Sequence, residues 1–151
     1  MKIAIVGSEE KYWTPEQREK VVRRIKKILY QPYVIMGDKG FHETMIKPVT
    51  LISGGCPKGG VDIWAEIVAD ILGIPKDIKN PEINQWRDSM TIDVNDDEIK
   101  LMGYKSRNIL IAEECDVLYC FDPAYRDWSG GRWTMKHAEK LGKEIHLELI
   151  E

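Results

Sequence analysis

The residues best placed for chemistry lie in one stretch, Ser53-Gly-Gly-Cys-Pro-Lys-Gly-Gly-Val-Asp62. Its four glycines, Gly54, Gly55, Gly59 and Gly60, follow the apolar run Val49-Thr-Leu-Ile52 and lead into an apolar helical segment. A glycine turn at a helix N-terminus presents bare backbone N–H groups to a phosphate. A tight strand-to-helix turn also uses glycine, because glycine tolerates positive φ. Four glycines exceed what such a turn needs, so ligand contact is the favoured reading. Asp62 falls in the first helical turn, where a carboxylate suits the helix dipole. It would repel a phosphate, so a ligand role there means a ribose hydroxyl. Cap and ribose roles stand level.

Two more glycine turns repeat the design. Gly7 and Ser8 close the run Ile3-Ala-Ile-Val6, and Ser8 offers a hydroxyl to an anion. Gly130 and Gly131, with Thr134 nearby, could form a second anion nest beside a helix start; Thr134 could instead cap that helix. Arg107 could neutralise a phosphate and Asn108 could bond a base or ribose. On residue type alone a surface arginine and a helix-packing amide are the favoured reading. Trp86, Trp128 and Trp133 lie near expected loops; packing is the favoured role for each, with stacking on a base as the minority reading. His42, His137 and His146 lack ligand spacing. Asp93, Asp96, Asp97 and Glu98 are explained by helix capping and lack the calcium-loop pattern. No metal site, cofactor or catalytic residue is assigned, and magnesium accompanying a phosphate stays open.

These residues need a scaffold to bring them together. Ile3–Val6, Val49–Ile52 and Val117–Phe121 read as buried parallel strands, being short continuous apolar runs. Thr14-Pro15 marks a helix start, and Val21, Val22, Ile25, Ile28 and Leu29 form one apolar face. The opposite face, from Arg18 to Lys27, is strongly basic and reads as solvated, with a nucleic-acid patch as the minority reading. Pro32 to Pro48 is an insertion or lid-like connection, with a short strand at Tyr33–Met36 and a turn at Gly37–Gly40. The segment from Val61 to Leu72 is apolar almost all round, which predicts burial on more than one side. It ends at Gly73, before Pro75. Ile78 fits a short edge strand. Asn95-Asp-Asp-Glu98 resembles a capping box for a helix from about Asp96 to Glu114. A helix from Arg132 to Leu141, capped by Gly142, precedes an alternating edge strand from Ile145 to Ile150.

Alternation of strands and helices predicts an α/β fold: a Rossmann-like, doubly wound, mostly parallel sheet with helices on both faces. Ligands in such folds bind beyond the C-terminal strand ends, where all three glycine turns fall. The 151 residues, with no linker or repeat, predict one domain spanning 1–151. A net charge of −3 gives no global basic field for nucleic acid. Three cysteines without paired spacing predict reduced thiols and a cytoplasmic location. No apolar run reaches the roughly 20 residues of a membrane helix.

The motif set resembles the SLOG superfamily. Those Rossmann-like proteins include the LOG phosphoribohydrolases, often labelled lysine decarboxylases, the DNA-processing protein A domain and small nucleotide-ligand sensors. The resemblance rests on Gly54-Gly55, Gly59/Gly60, Asp62, Ala65, Trp86 and Arg107-Asn108. It continues through Asp116-Val-Leu, Ser129-Gly-Gly131, Thr134, Ala138 and Gly142-Lys143, spanning nearly the whole chain. It implies a pocket for a nucleotide or nucleotide-derived ligand, and often a homo-oligomer. The hydrolases carry a glutamate where this chain has His137, and Cys56-Pro-Lys58 separates the glycine pairs. An imidazolium would oppose the oxocarbenium-like centre that a carboxylate stabilises. The expected function is therefore sensor-like nucleotide binding. The alternatives are phosphoribohydrolase activity, with Asp62, Glu66 or Glu139 replacing the glutamate, and interaction with DNA through the basic helix face.

Overall fold

The computed structural model describes residues 1–86 and 89–151. Strand β1 (Lys2–Gly7) leads to helix α1 (Pro15–Leu29), then to a hairpin of β2 (Pro32–Met36) and β3 (His42–Ile46). Next come β4 (Thr50–Ser53), α2 (Val61–Leu72) and β5 (Lys76–Ile78). A second hairpin, β6 (Ser89–Val94) and β7 (Asp97–Met102), precedes α3 (Tyr104–Glu114), β8 (Val117–Pro123), α4 (Gly130–Lys140) and β9 (Glu144–Ile150).

Five strands form one sheet in the order β5-β4-β1-β8-β9, and every neighbouring pair is parallel. The expected α/β Rossmann-like architecture is present. Alternation along the strands sorts the core into two layers. Ile3, Ile5, Leu51 and Phe121 face α1 and α2, where Val21, Ile25, Trp64 and Val68 meet them. Ala4, Val6, Ile52 and Leu118 face α3 and α4, meeting Ile111, Ala112, Met135 and Ala138. Strand order runs outward from β1 to β5 on one side, then restarts with β8 on the other. The switch point lies between β1 and β8, and a crevice opens there at the C-terminal strand ends.

The expected caps at α1 and α2 are found. Thr14 Oγ1 accepts from Gln17 N, Gln17 Oε1 accepts from Thr14 N, and Pro15 opens α1. Gly73 closes α2 in the left-handed conformation, at φ +69°.

Three expectations need correction. Asn95-Asp-Asp-Glu98 does not start a helix: Asn95 (φ +54°) and Asp96 (φ +66°) form the turn of the β6–β7 hairpin. Asx residues favour both N-caps and left-handed turns, and the alternating Ile92/Val94 and Ile99/Leu101 pattern decides for strands. The helix begins only at Tyr104. The insertion before Pro48 holds a second strand, β3, paired antiparallel with β2. Helix α2 is not buried all round, since Ile67 and Ile71 are exposed. Among the described residues, no helix is long and apolar enough to cross a membrane.

Candidate functional site

A cleft of about 250 Å³ opens at the switch point. The end of β1 contributes Gly7, with Ser8 just beyond it, and the start of α4 contributes Ser129, Gly130 and Gly131. Helix α3 supplies Tyr104, Arg107 and Asn108, and the segment before α2 supplies Cys56, Lys58 and Asp62. Nine residues singled out in the sequence thus line one cleft: Gly7, Ser8, Asp62, Trp86, Arg107, Asn108, Gly130, Gly131 and Thr134.

Close approach of β1 and α4 creates the floor. A Cβ on Gly131 would lie 2.7 Å from Gly7 N, and one on Gly7 would lie 2.2 Å from Phe121 O. Only glycine lets the α4 N-terminus sit against the strand end. Helix α4 then points its first turn, and the positive end of its dipole, into the cleft. Ser129 caps it by accepting from Arg132 N at 3.1 Å. Thr134 is not the cap; its hydroxyl donates back to Gly130 O at 3.0 Å.

Asp122 organises this wall from beneath. It is fully buried. Its Oδ1 accepts from Ser8 Oγ at 2.5 Å, and its Oδ2 accepts from Ser129 Oγ at 2.9 Å and Arg132 Nε at 2.7 Å. One carboxylate therefore orients the hydroxyls at both strand and helix ends. Arg126 reaches the same point from above. Its Nη1 donates to Ser8 Oγ at 3.1 Å, and its guanidinium lies 3.4 Å from the Tyr12 ring centroid. Tyr125 Oη fixes that tyrosine segment by donating to Tyr12 O at 2.7 Å. Stacked on an aromatic face, the guanidinium keeps a planar edge for an anion. Asp122, Arg126 and Arg132 were not singled out in the sequence; the polar run between the strand ending at Pro123 and Ser129 was the available signal.

The opposite wall centres on Arg107. It is buried, donates from Nε to Asn108 Oδ1 at 2.8 Å, and donates from Nη1 to Gly54 O. Asn108 thereby holds Arg107 in place. Asp62 is buried nearby, and its carboxyl is raised to about 6. Loss of solvent is the main cause, opposed by the Arg107 charge and reinforced by Glu66. Glu66 itself accepts from Ser53 Oγ at 2.6 Å. Burial pushes the Cys56 thiol up, which disfavours a thiolate nucleophile there.

The four glycines of this segment have reasons of their own. Gly55, Gly59 and Gly60 adopt φ of +57°, +75° and +92°. A Cβ on Gly60 would meet Ser8 O at 2.4 Å, and one on Gly54 would meet Arg107 Nη1 at 2.6 Å. They let the loop fold against β1 and beneath Arg107, while Cys56, Lys58 and Asp62 face the cleft.

Trp86 lines the rim and makes an edge contact with Trp133, which stacks on His137. Trp128 is exposed, with Lys136 over its ring. Among the described residues, no group of three His, Cys, Asp or Glu side chains is gathered to hold a metal ion.

No protein-family model and no curated protein sequence matches the chain. Solved structures do match. A molybdenum cofactor carrier protein from Chlamydomonas reinhardtii aligns over 97% of this chain and 74% of its own, at 18% identity and TM-score 0.59. A DNA processing protein A from Helicobacter pylori, which binds single-stranded DNA, aligns over 97% of this chain at 19% identity and TM-score 0.57. The chain spans 64% of that protein's length. These likenesses establish the class of fold, a Rossmann-like α/β domain.

Proposed function

We propose that the cleft binds a nucleotide or nucleotide-derived ligand, in a sensor-like role, as the resemblance to the SLOG superfamily implies. The observation that carries the reading is the convergence on one point of Ser8 Oγ, the Arg126 guanidinium and the Gly130–Gly131 start of α4. A phosphate there would meet helix amides, a hydroxyl and a stacked cation together. Arg107 and Lys58 add positive charge to the other wall. Trp86 and Tyr104 offer aromatic surface at the rim for a base. Both structural neighbours are binding proteins by name, one for a cofactor and one for single-stranded DNA, which accords with a binding role.

Hydrolysis is the weaker reading. His137, at the position of the hydrolase glutamate, stacks on Trp133, outside the cleft lining. DNA binding through α1 is weaker still. Arg18, Arg23 and Arg24 of its basic face have carboxylate neighbours in Glu10, Glu19 and Glu148.

Thermal-shift and calorimetric titration with nucleoside monophosphates, diphosphates, cyclic nucleotides and ADP-ribose tests the proposal. Saturable binding without release of free base supports it. Released base would establish hydrolysis instead, and no binding by any of these ligands would overturn it.

A further inference from the structure

Asp62 lines the cleft with only 8% of its surface exposed. Among the described residues, the side-chain donors around its carboxyl are committed elsewhere. Arg107 gives Nε to Asn108 Oδ1 and Nη1 to Gly54 O. Ser53 Oγ lies 2.6 Å from Glu66 Oε1 and 3.4 Å from the Asp62 backbone carbonyl, and donates there. The hydrogen bond that reaches the Asp62 carboxyl comes from the Cys56 amide, in the loop before α2. Helix α2 itself starts at Gly60 without a side-chain cap. Asp62 is therefore turned away from its own helix end and toward the cleft.

Gly54 makes room for this arrangement. A Cβ there would lie 2.6 Å from Arg107 Nη1 and 2.8 Å from Asp62 Oδ2. The fold thus holds a carboxylate where loss of solvent disfavours its charge. An ionised carboxylate accepts through two oxygens, and one backbone amide leaves most of that capacity to a ligand. A polar group kept at a cost to the fold is what a binding site requires.

Position selects the ligand part. Val61 N donates to Ser8 O at 3.4 Å, which sets Asp62 one residue from contact with the strand end on the phosphate side. Trp86 and Tyr104 stand at the rim. A nucleoside 5′-phosphate carries its ribose between phosphate and base, and the ribose is the part that falls beside Asp62. Its cis 2′,3′-diol offers two O–H donors to the two carboxylate oxygens. A further phosphate on either hydroxyl would meet like charge.

We infer that Asp62 is the specificity-determining residue of the cleft, accepting the 2′- and 3′-hydroxyls of a ribonucleoside 5′-phosphate and so selecting ribose over deoxyribose. This assignment rests on the nucleotide reading of the cleft and narrows it to ligands with a free diol. A DNA strand has neither donor and places a phosphate on the 3′ side, so this wall disfavours it.

Calorimetry with AMP, GMP, CMP and UMP, each beside its 2′-deoxy and 3′-deoxy counterpart, tests the assignment. For every ribonucleotide that binds, loss of either hydroxyl should weaken binding about 10-fold or more. Asp62→Ala should bring ribo and deoxy forms to within ~3-fold of each other. The deoxy forms should bind that variant at least as tightly as they bind the wild type, because the carboxylate charge is gone. If Asp62→Ala does not fold, Asp62→Asn should narrow the same ratio by at least ~3-fold. Equal binding of ribo and deoxy forms by the wild type overturns the assignment and leaves the nucleotide reading standing. Undiminished discrimination in the folded variants also overturns it, by placing the hydroxyl contact elsewhere. Binding of none of these nucleotides overturns both.

Discussion

Replacing Asp122 by alanine tests whether one buried carboxylate holds the phosphate-side wall together. Asp122 is fully enclosed, and four donors converge on it: Ser8 Oγ, Ser129 Oγ and Arg132 Nε, with the Cys120 thiol more distant at 3.9 Å. Removing one partner of a buried ion pair costs about 3–5 kcal/mol. Arg132 retains other acceptors, Asp127 O at 2.8 Å and Arg126 O at 2.5 Å, and its side chain is 14% exposed. Those contacts limit the charge left unpaired, so the expected loss sits at the lower end, about 3 kcal/mol. For a domain of this length each kcal/mol lowers the melting temperature by about 2–4 °C. Asp122→Ala should therefore melt roughly 6–12 °C below the wild type at neutral pH. A double-mutant cycle isolates the pair. With Arg132→Met added, the combined loss should fall short of the sum by about 1 kcal/mol or more. A melting shift under about 2 °C, or strict additivity, would refute the assigned role of Asp122.

Further outcomes follow from the same geometry. Asp62, raised from 3.8 to about 6, binds its proton more tightly folded than unfolded, so its contribution to stability is greatest below pH 4 and declines as pH rises to about 6. Asp62→Asn should thus exceed wild-type stability by up to about 3 kcal/mol above pH 6, with the advantage vanishing below pH 4, as chemical denaturation against pH will show. Gly60→Ala combines φ +92° with backbone atoms at 2.4 and 2.8 Å from the new Cβ; it should cost more than about 2 kcal/mol. Gly142→Ala, at φ +78° with open space around it, should cost only about 1 kcal/mol in the same melts. Arg126→Ala should weaken nucleoside monophosphate binding roughly 10- to 100-fold in calorimetry, while moving the melting temperature little.

The parallel strands were legible because both their faces are buried, which writes them as unbroken apolar runs such as Ile3–Val6. Helix α1 was legible because Thr14, Pro15 and Gln17 carry their cap chemistry locally. Hairpins were less so. Asn95 and Asp96 have side chains that serve a cap or a left-handed turn equally well, and β3 lacks a buried face to impose a pattern. Gathering Gly7 and Gly131 at one cleft was inferable from the strand-end rule, whereas Arg107, inside α3, came only with the family resemblance. Asp122 and Arg126 were not, because their importance lies in side-chain bonds to Ser8, more than a hundred positions away in sequence. The glycines of the Ser53–Asp62 segment illustrate the converse. Their number suggested ligand contact, and the fold gives each one a turn or a close approach to satisfy.

The most direct test of the nucleotide cleft is an amide-resolved NMR titration of the isotopically labelled protein with AMP and with ADP-ribose. Binding at the proposed point predicts saturable shifts concentrated at Gly7, Ser8, Arg126, Gly130 and Gly131, and their loss at that point in Arg126→Ala. Shifts confined to the α1 face between Arg18 and Lys27, or no shifts with either ligand, would contradict it.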